Sequence, residues 1–124
     1  MSSPRKENIL IADDDMIIVD LFRFILEHDG HIDVAGNGVE ALSIIKEKYC
    51  KLIICDVHMP LMDGPSFYRE CVKRFPNVTE RFLFTTGTLS SERRSFFEEH
   101  DLKYFYKPLD VHKFKETSRK IISS

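Results

Sequence analysis

Leu52-Ile53-Ile54-Cys55-Asp56 is the stretch on which the fold turns: a short, unbroken apolar run that stops at a carboxylate. With no polar alternation and so few residues, it reads as a strand buried on both faces, the pattern of a parallel sheet covered by helices. Three other segments repeat the design. Ile9-Leu10-Ile11-Ala12 stops at Asp13-Asp14, Phe82-Leu83-Phe84-Thr85 at Thr86, and Tyr104-Phe105-Tyr106 at Lys107-Pro108. In an open α/β sheet, ligands bind beyond the carboxyl ends of the strands. The four ends would therefore bring three carboxylates, a hydroxyl and an ammonium to one crevice, a set that suits a divalent cation and a phosphoryl group.

Helical patterns fill the intervals. Ile17 to Glu27 carries Ile18, Phe22 and Ile25 on one face and is halted by Asp29-Gly30. A short strand, His31 to Ala35, leads to the turn signal Asn37-Gly38. The next helix sets Ala41, Leu42, Ile44, Ile45 and Lys48 at helical spacing, with Lys46 and Glu47 outside. Beyond Asp56, a loop passes Met59-Pro60 and Asp63-Gly64. Pro65 suits the first turn of a third helix, because its missing N–H would be unpaired there. Phe67, Cys71 and Val72 are that helix's expected core face, and Phe75-Pro76-Asn77 its end. A fourth helix is expected from about Ser90 to His100, and a fifth after the N-cap Asp110, with Val111, Phe114 and Ile121 on one stripe. This alternation predicts an α/β fold, a five-stranded parallel sheet doubly wound as (βα)5. The flavodoxin-like strand order 2-1-3-4-5 puts its switch point between strands one and three, where Asp13, Asp14 and Asp56 would meet.

At 124 residues the chain is one domain, able to bury roughly two thirds of its unfolded surface. Residues 1–7 are read as a flexible N-terminal tail and 8–124 as the folded domain; no apolar stretch of a signal peptide follows Met1-Ser2-Ser3-Pro4-Arg5-Lys6. A net charge of −2 offers no basic footprint for direct nucleic-acid binding. No apolar run approaches the roughly 20 residues that span a bilayer. Cys50, Cys55 and Cys71 fit neither a disulfide framework nor a paired zinc site, which points to a reducing cytoplasm. The histidines show no metal-ligand spacing.

Three carboxylates at close range oppose one another's ionisation unless a cation sits among them. Mg²⁺ meets that need, being hard and oxygen-seeking, and Mn²⁺ is a second candidate. Asp14 and Asp56 are the expected direct ligands, Asp13 acts through water, and the His58 backbone carbonyl supplies a further oxygen. Asp56, alone at the end of the central strand, is the expected nucleophile, since an Asp can carry phosphate as an aspartyl-phosphate. Phosphoryl transfer needs mainly positioning and charge neutralisation: Lys107 and the Thr86 hydroxyl would take phosphate oxygens, and Gly87 leaves room for an in-line approach. Singly, each residue has a plainer reading as a turn, a cap or a strand former. Four strand ends delivering complementary groups to one edge do not.

With these residues in view, the chain resembles a response-regulator receiver domain from Asn8 to about Ile122. The resemblance rests on Asp13-Asp14, Asp56, Met59-Pro60-x-x-Asp63-Gly64, Thr86 and Lys107-Pro108, and spacing from Asp56 favours Thr86 over Thr85. It implies Mg²⁺-dependent transfer of phosphate to Asp56 from a phosphohistidine on a sensor histidine kinase or histidine phosphotransfer protein. It also implies a cis Lys107–Pro108 bond, hydrolysis tuned by His58 and Thr88, and a switch in which Thr86 moves inward and Tyr104 follows. Such a chain is a phosphoacceptor rather than an enzyme with a separate substrate, with self-catalysed phosphotransfer and dephosphorylation. Its output goes to a downstream protein through the face of helix four, strand five and helix five, as a monomer or a weak phosphorylation-dependent dimer.

The chain stops at Ser124, so a stand-alone regulator is the first expectation and a receiver cut from a transcriptional regulator or hybrid histidine kinase the second. An Asp-nucleophile phosphatase of the haloacid-dehalogenase type would place an Asp-x-Asp pattern on strand one and need a cap. A nucleotide-binding flavodoxin-like module would need a Gly-x-Gly-x-x-Gly loop after a strand, which is missing.

Overall fold

The computed structural model describes residues 6–124. The tail expected over residues 1–7 therefore lies, for residues 1–5, outside the described residues. Five strands, β1 (Asn8–Ala12), β2 (His31–Ala35), β3 (Leu52–Asp56), β4 (Phe82–Thr86) and β5 (Lys103–Tyr106), alternate with α1 (Met16–Leu26), α2 (Gly38–Glu47), α3 (Gly64–Arg74), α4 (Ser91–Glu99) and α5 (Val111–Ser123). A 3-10 turn, Thr79–Arg81, precedes β4. The sheet is wholly parallel in the order β2-β1-β3-β4-β5, the predicted doubly wound arrangement.

Local chemistry sets these boundaries. Asp15, Asn37, Asp63, Ser90 and Asp110 each cap a helix, their side-chain oxygens accepting a backbone N–H of the first turn. Pro65 sits in the first turn of α3, where proline lacks no needed donor. Every residue of β3 is buried, as a central strand covered on both faces requires.

Two apolar layers flank the sheet. On one side Phe22 of α1 stacks on Phe114 of α5, their ring centroids 4.8 Å apart, over Ile9, Ile11, Ile54 and Leu83. On the other, Phe67 and Tyr68 of α3 and Phe97 of α4 close over Phe82 and Phe84. Two expected core residues are not in either layer. Val72 is 48% exposed, because the buried side of α3 runs through Phe67, Tyr68 and Cys71 and the next residue turns away. Val111 is 45% exposed at the start of α5, whose buried stripe is Phe114, Ser118 and Ile121. Among the described residues no helix is long and apolar enough to cross a membrane.

Candidate functional site

The register of the sheet builds the site. Ala12 lies beside Cys55, and Asp56 beside Thr85, so the ends of β1, β3 and β4 sit level. Asp13 and Asp14 follow β1 directly, Asp56 closes β3, and Lys107 follows β5 directly, just before a cis Lys107–Pro108 bond. Carboxylate oxygens of Asp13, Asp14 and Asp56 all lie within 4.8 Å of one another. Lys107 Nζ stands between two of them, 3.4 Å from Asp13 Oδ2 and 3.4 Å from Asp56 Oδ1. Three carboxylates thus face one ammonium.

Burial sharpens that imbalance. Asp13 is only 1% exposed, whereas Asp14 is exposed at the mouth. Loss of water pushes the Asp13 carboxyl up to about 6; the Asp15 backbone N–H opposes the rise, Asp56 adds to it and Lys107 opposes it. Asp56 is likewise raised by burial, with Lys107 pulling the other way and Asp14 adding to the rise. An all-oxygen cluster in which Asp13 and Asp56 resist ionisation is a donor set for a hard divalent cation.

The loops around it are pinned by backbone contacts. Gly64 N donates to the Val57 carbonyl at 3.0 Å, and a Cβ at Gly64 would overlap the Asp56 carbonyl oxygen. Gly38 N donates to the Met62 carbonyl at 3.0 Å, tying the β3–α3 loop to α2. Leu61 in that loop adopts φ 66°, a left-handed backbone that leucine rarely takes, with its side chain in solvent.

Of the sequence-predicted residues, Asp13, Asp14, Asp56 and Lys107 come together, while Thr86, Thr88, His58 and Tyr104 make other contacts. Thr86 is buried at the end of β4, yet its hydroxyl is turned to its own loop, donating to the Thr88 carbonyl at 2.6 Å. His58 lies across that loop, Nε2 3.4 Å from the same carbonyl. A Cβ on Gly87 would meet nothing within 4 Å, so the approach beside Thr86 is open. Tyr104 is half-buried and stacks on Phe97 with centroids 5.3 Å apart.

Asp15 was not singled out from sequence, and Asp63 was read there only as part of the Met59-Pro60-x-x-Asp63-Gly64 loop. Asp15 N donates to Asp13 Oδ1 at 2.9 Å, fixing that carboxylate; an Asp just before a helix is the signal that marks it. Asp63 Oδ1 caps α3 through Ser66 N, and its Oδ2 pairs with Arg93 of α4 at 3.2 Å. Burial disfavours the Asp63 charge, but its bonds from the Ser66 N–H and side chain and from Arg93 hold it below the ordinary carboxylate range. The Arg93 partnership has no local sequence signal.

Known proteins share the sequence pattern and the fold. The sequence profile of the response regulator receiver domain matches residues 9–119. An uncharacterised 14.6 kDa protein from the sodA1 3′ region of Leptolyngbya boryana is 46% identical over 113 residues, covering 89% of this chain and 86% of that protein. The transcriptional regulatory protein ZraR of Salmonella typhimurium is 31% identical over 120 residues, covering 95% of this chain and 27% of that protein. This chain therefore spans about a quarter of that regulator. A CheY-like response regulator receiver domain protein from Methanospirillum hungatei superposes with a TM-score of 0.84 at 26% identity, covering 95% of this chain and 94% of that one. The chain belongs to the response regulator receiver domain family, whose role is to accept a phosphoryl group in two-component signalling.

Proposed function

We propose that Asp56 takes a phosphoryl group, in a Mg²⁺-dependent reaction, from a phosphohistidine on a sensor histidine kinase or histidine phosphotransfer protein. The face of α4, β5 and α5 then changes to control a downstream protein. The observation that carries this reading is the triplet of carboxylates within 4.8 Å together with Lys107 Nζ 3.4 Å from Asp56 Oδ1. The receiver unit is taken as residues 8–124, with 1–7 as its tail, in a reducing cytoplasm that suits three buried free thiols.

The donor set fits the cation. Asp14 and Asp56 would hold Mg²⁺ directly, Asp13 through water and His58 through its backbone carbonyl; Mn²⁺ shares the preference for oxygen. Bound there, the cation supplies charge neutralisation for the transferring oxygens. An Asp56 carboxylate oxygen forms the new O–P bond while the donor's P–N bond breaks, its electron pair staying on the imidazole. Lys107 neutralises a second phosphoryl oxygen. Thr86 exchanges the Thr88 carbonyl for the third, and the withdrawal of its side chain frees space for Tyr104. Gly87 keeps the line of approach clear, and His58 with Thr88 tunes the entry of the water that later hydrolyses the acyl phosphate. In solution the chain is a monomer or a weak dimer on phosphorylation.

Binding of beryllofluoride, which mimics a phosphoryl group on a carboxylate, tests the assignment. Fluorine NMR of the protein with Mg²⁺ should show a bound signal that disappears with EDTA and in Asp56→Asn. A bound signal that persists in Asp56→Asn would reject Asp56 as the acceptor.

A further inference from the structure

We infer that the Asp63–Arg93 ion pair is a latch on the β4–α4 segment, so that Arg93 is a positioning residue that holds Thr86 turned away from Asp56. This rests on the phosphoacceptor reading above and adds to it the contact that sets how readily the site accepts its group.

The α4 helix is thinly anchored. Of Ser91–Glu99 only Phe97 is fully buried, and it lies toward the helix's far end. The first turn has no buried apolar residue; Leu89, just before it, packs partly on the core. The side-chain ion pair joining that turn to the body of the protein is Arg93 Nη2 to Asp63 Oδ2 at 3.2 Å, the two side chains 31% and 32% exposed. A cation in the first turn opposes the positive end of the helix dipole, so Arg93 is poorly placed for the stability of α4 itself. Its partner accounts for the placement.

Both ends of the pair reach the reacting groups through short, stiff paths. Asp63 caps α3 with Oδ1, and its neighbour Gly64 is packed against the Asp56 backbone, so the carboxylate is fixed relative to the acceptor strand. Arg93 N is capped by Ser90 Oγ at 3.2 Å, and Ser90 closes the loop that carries Thr88. The Thr88 carbonyl holds the Thr86 hydroxyl at 2.6 Å. When that hydroxyl turns toward a phosphoryl group on Asp56 it gives up the Thr88 carbonyl; in the latch reading the loop shifts with it, and Arg93 resists that shift from the loop's far end. The pair biases a two-state element, and a ligand that favours one state is bound more weakly by whatever fraction the other state takes.

The test uses Arg93→Met, which keeps an apolar stem, Asp63→Asn, which can still cap α3, and Arg93→Lys, which keeps the charge. With Mg²⁺ present, the beryllofluoride concentration for half-saturation is expected to fall about 1.5- to 5-fold in the first two, the range a part-exposed ion pair spans, and to stay near wild type in Arg93→Lys. Without ligand, amide exchange should quicken at Thr88 and Arg94 in Arg93→Met while the β1 amides keep wild-type protection. Faster exchange with unchanged affinity would make the pair merely structural and overturn the latch. Unchanged exchange would overturn it as well. If wild type binds beryllofluoride and the charge-removing variants match it, the latch alone fails; if wild type binds none, the phosphoacceptor reading fails and the latch with it.

Discussion

Asp13→Asn is expected to make the metal-free protein more stable while weakening its hold on the cation. The Asp13 carboxyl is raised from 3.8 to about 6, first by burial and next, among the effects that raise it, by Asp56. At about 1.4 kcal/mol per unit, ionised Asp13 costs the fold about 3 kcal/mol. The crevice opens to water at Asp14, and that screening lowers the figure to about 1–2 kcal/mol. Because the folded-state value lies above the unfolded one, folding favours the protonated form. The deficit is absent below 3.8, grows between 3.8 and about 6, and is complete above that. An amide can still accept the Asp15 N–H, so the substitution removes the charge and keeps that contact. Urea unfolding without divalent ions should therefore find the variant more stable at about pH 7.5 and close to wild type near pH 4. Mg²⁺ at about a hundred times its dissociation constant adds about 2.7 kcal/mol to whichever protein binds it, which narrows or reverses the order. A variant less stable than wild type at neutral pH in EDTA would refute the electrostatic account of the crevice.

The same carboxyl makes cation affinity pH-dependent: calorimetry should find Mg²⁺ binding roughly tenfold weaker at pH 5 than at pH 7, as Asp13 holds a proton that the ion must displace. Gly64→Ala forces a methyl group against the Asp56 carbonyl and should lower stability by about 1–3 kcal/mol in chemical denaturation while weakening beryllofluoride binding. Thr85 Oγ1 is buried without a partner among the described residues, so Thr85→Val should be neutral or stabilising by about 1 kcal/mol and leave beryllofluoride affinity intact. Its neighbour's substitution, Thr86→Val, removes the hydroxyl that would take a phosphoryl oxygen in exchange for the Thr88 carbonyl, and should weaken that affinity; equal effects at the two positions would contradict the assignment of the hydroxyl.

Much of this site was legible because strand ends are abrupt. Asp13, Asp56 and Lys107 each follow an apolar run too short to be anything but a buried strand, and right-handed crossovers leave few ways to arrange five of them. Asp110 and Pro65 marked the starts of α5 and α3 for a similarly local reason, while the caps Asp15, Asn37 and Asp63 were not read as such. Helix phase was harder: Val72 and Val111 are apolar but exposed, while Ser118, which no hydrophobic pattern would select, fills a buried position on α5. The direction of the Thr86 hydroxyl depends on a loop carbonyl two residues away, and two rotamers of a threonine look identical in sequence. Arg93 meets Asp63 across 30 residues of chain, a tertiary contact without periodicity or motif.

The most direct test of the central claim is intact mass after incubation with acetyl phosphate and Mg²⁺, wild type beside Asp56→Asn, under gentle and rapid conditions. The account predicts one phosphate adduct on wild type, absent in the variant and absent when the metal is chelated. An adduct that survives in Asp56→Asn, or a wild type that gains none while beryllofluoride also fails to bind, would contradict it.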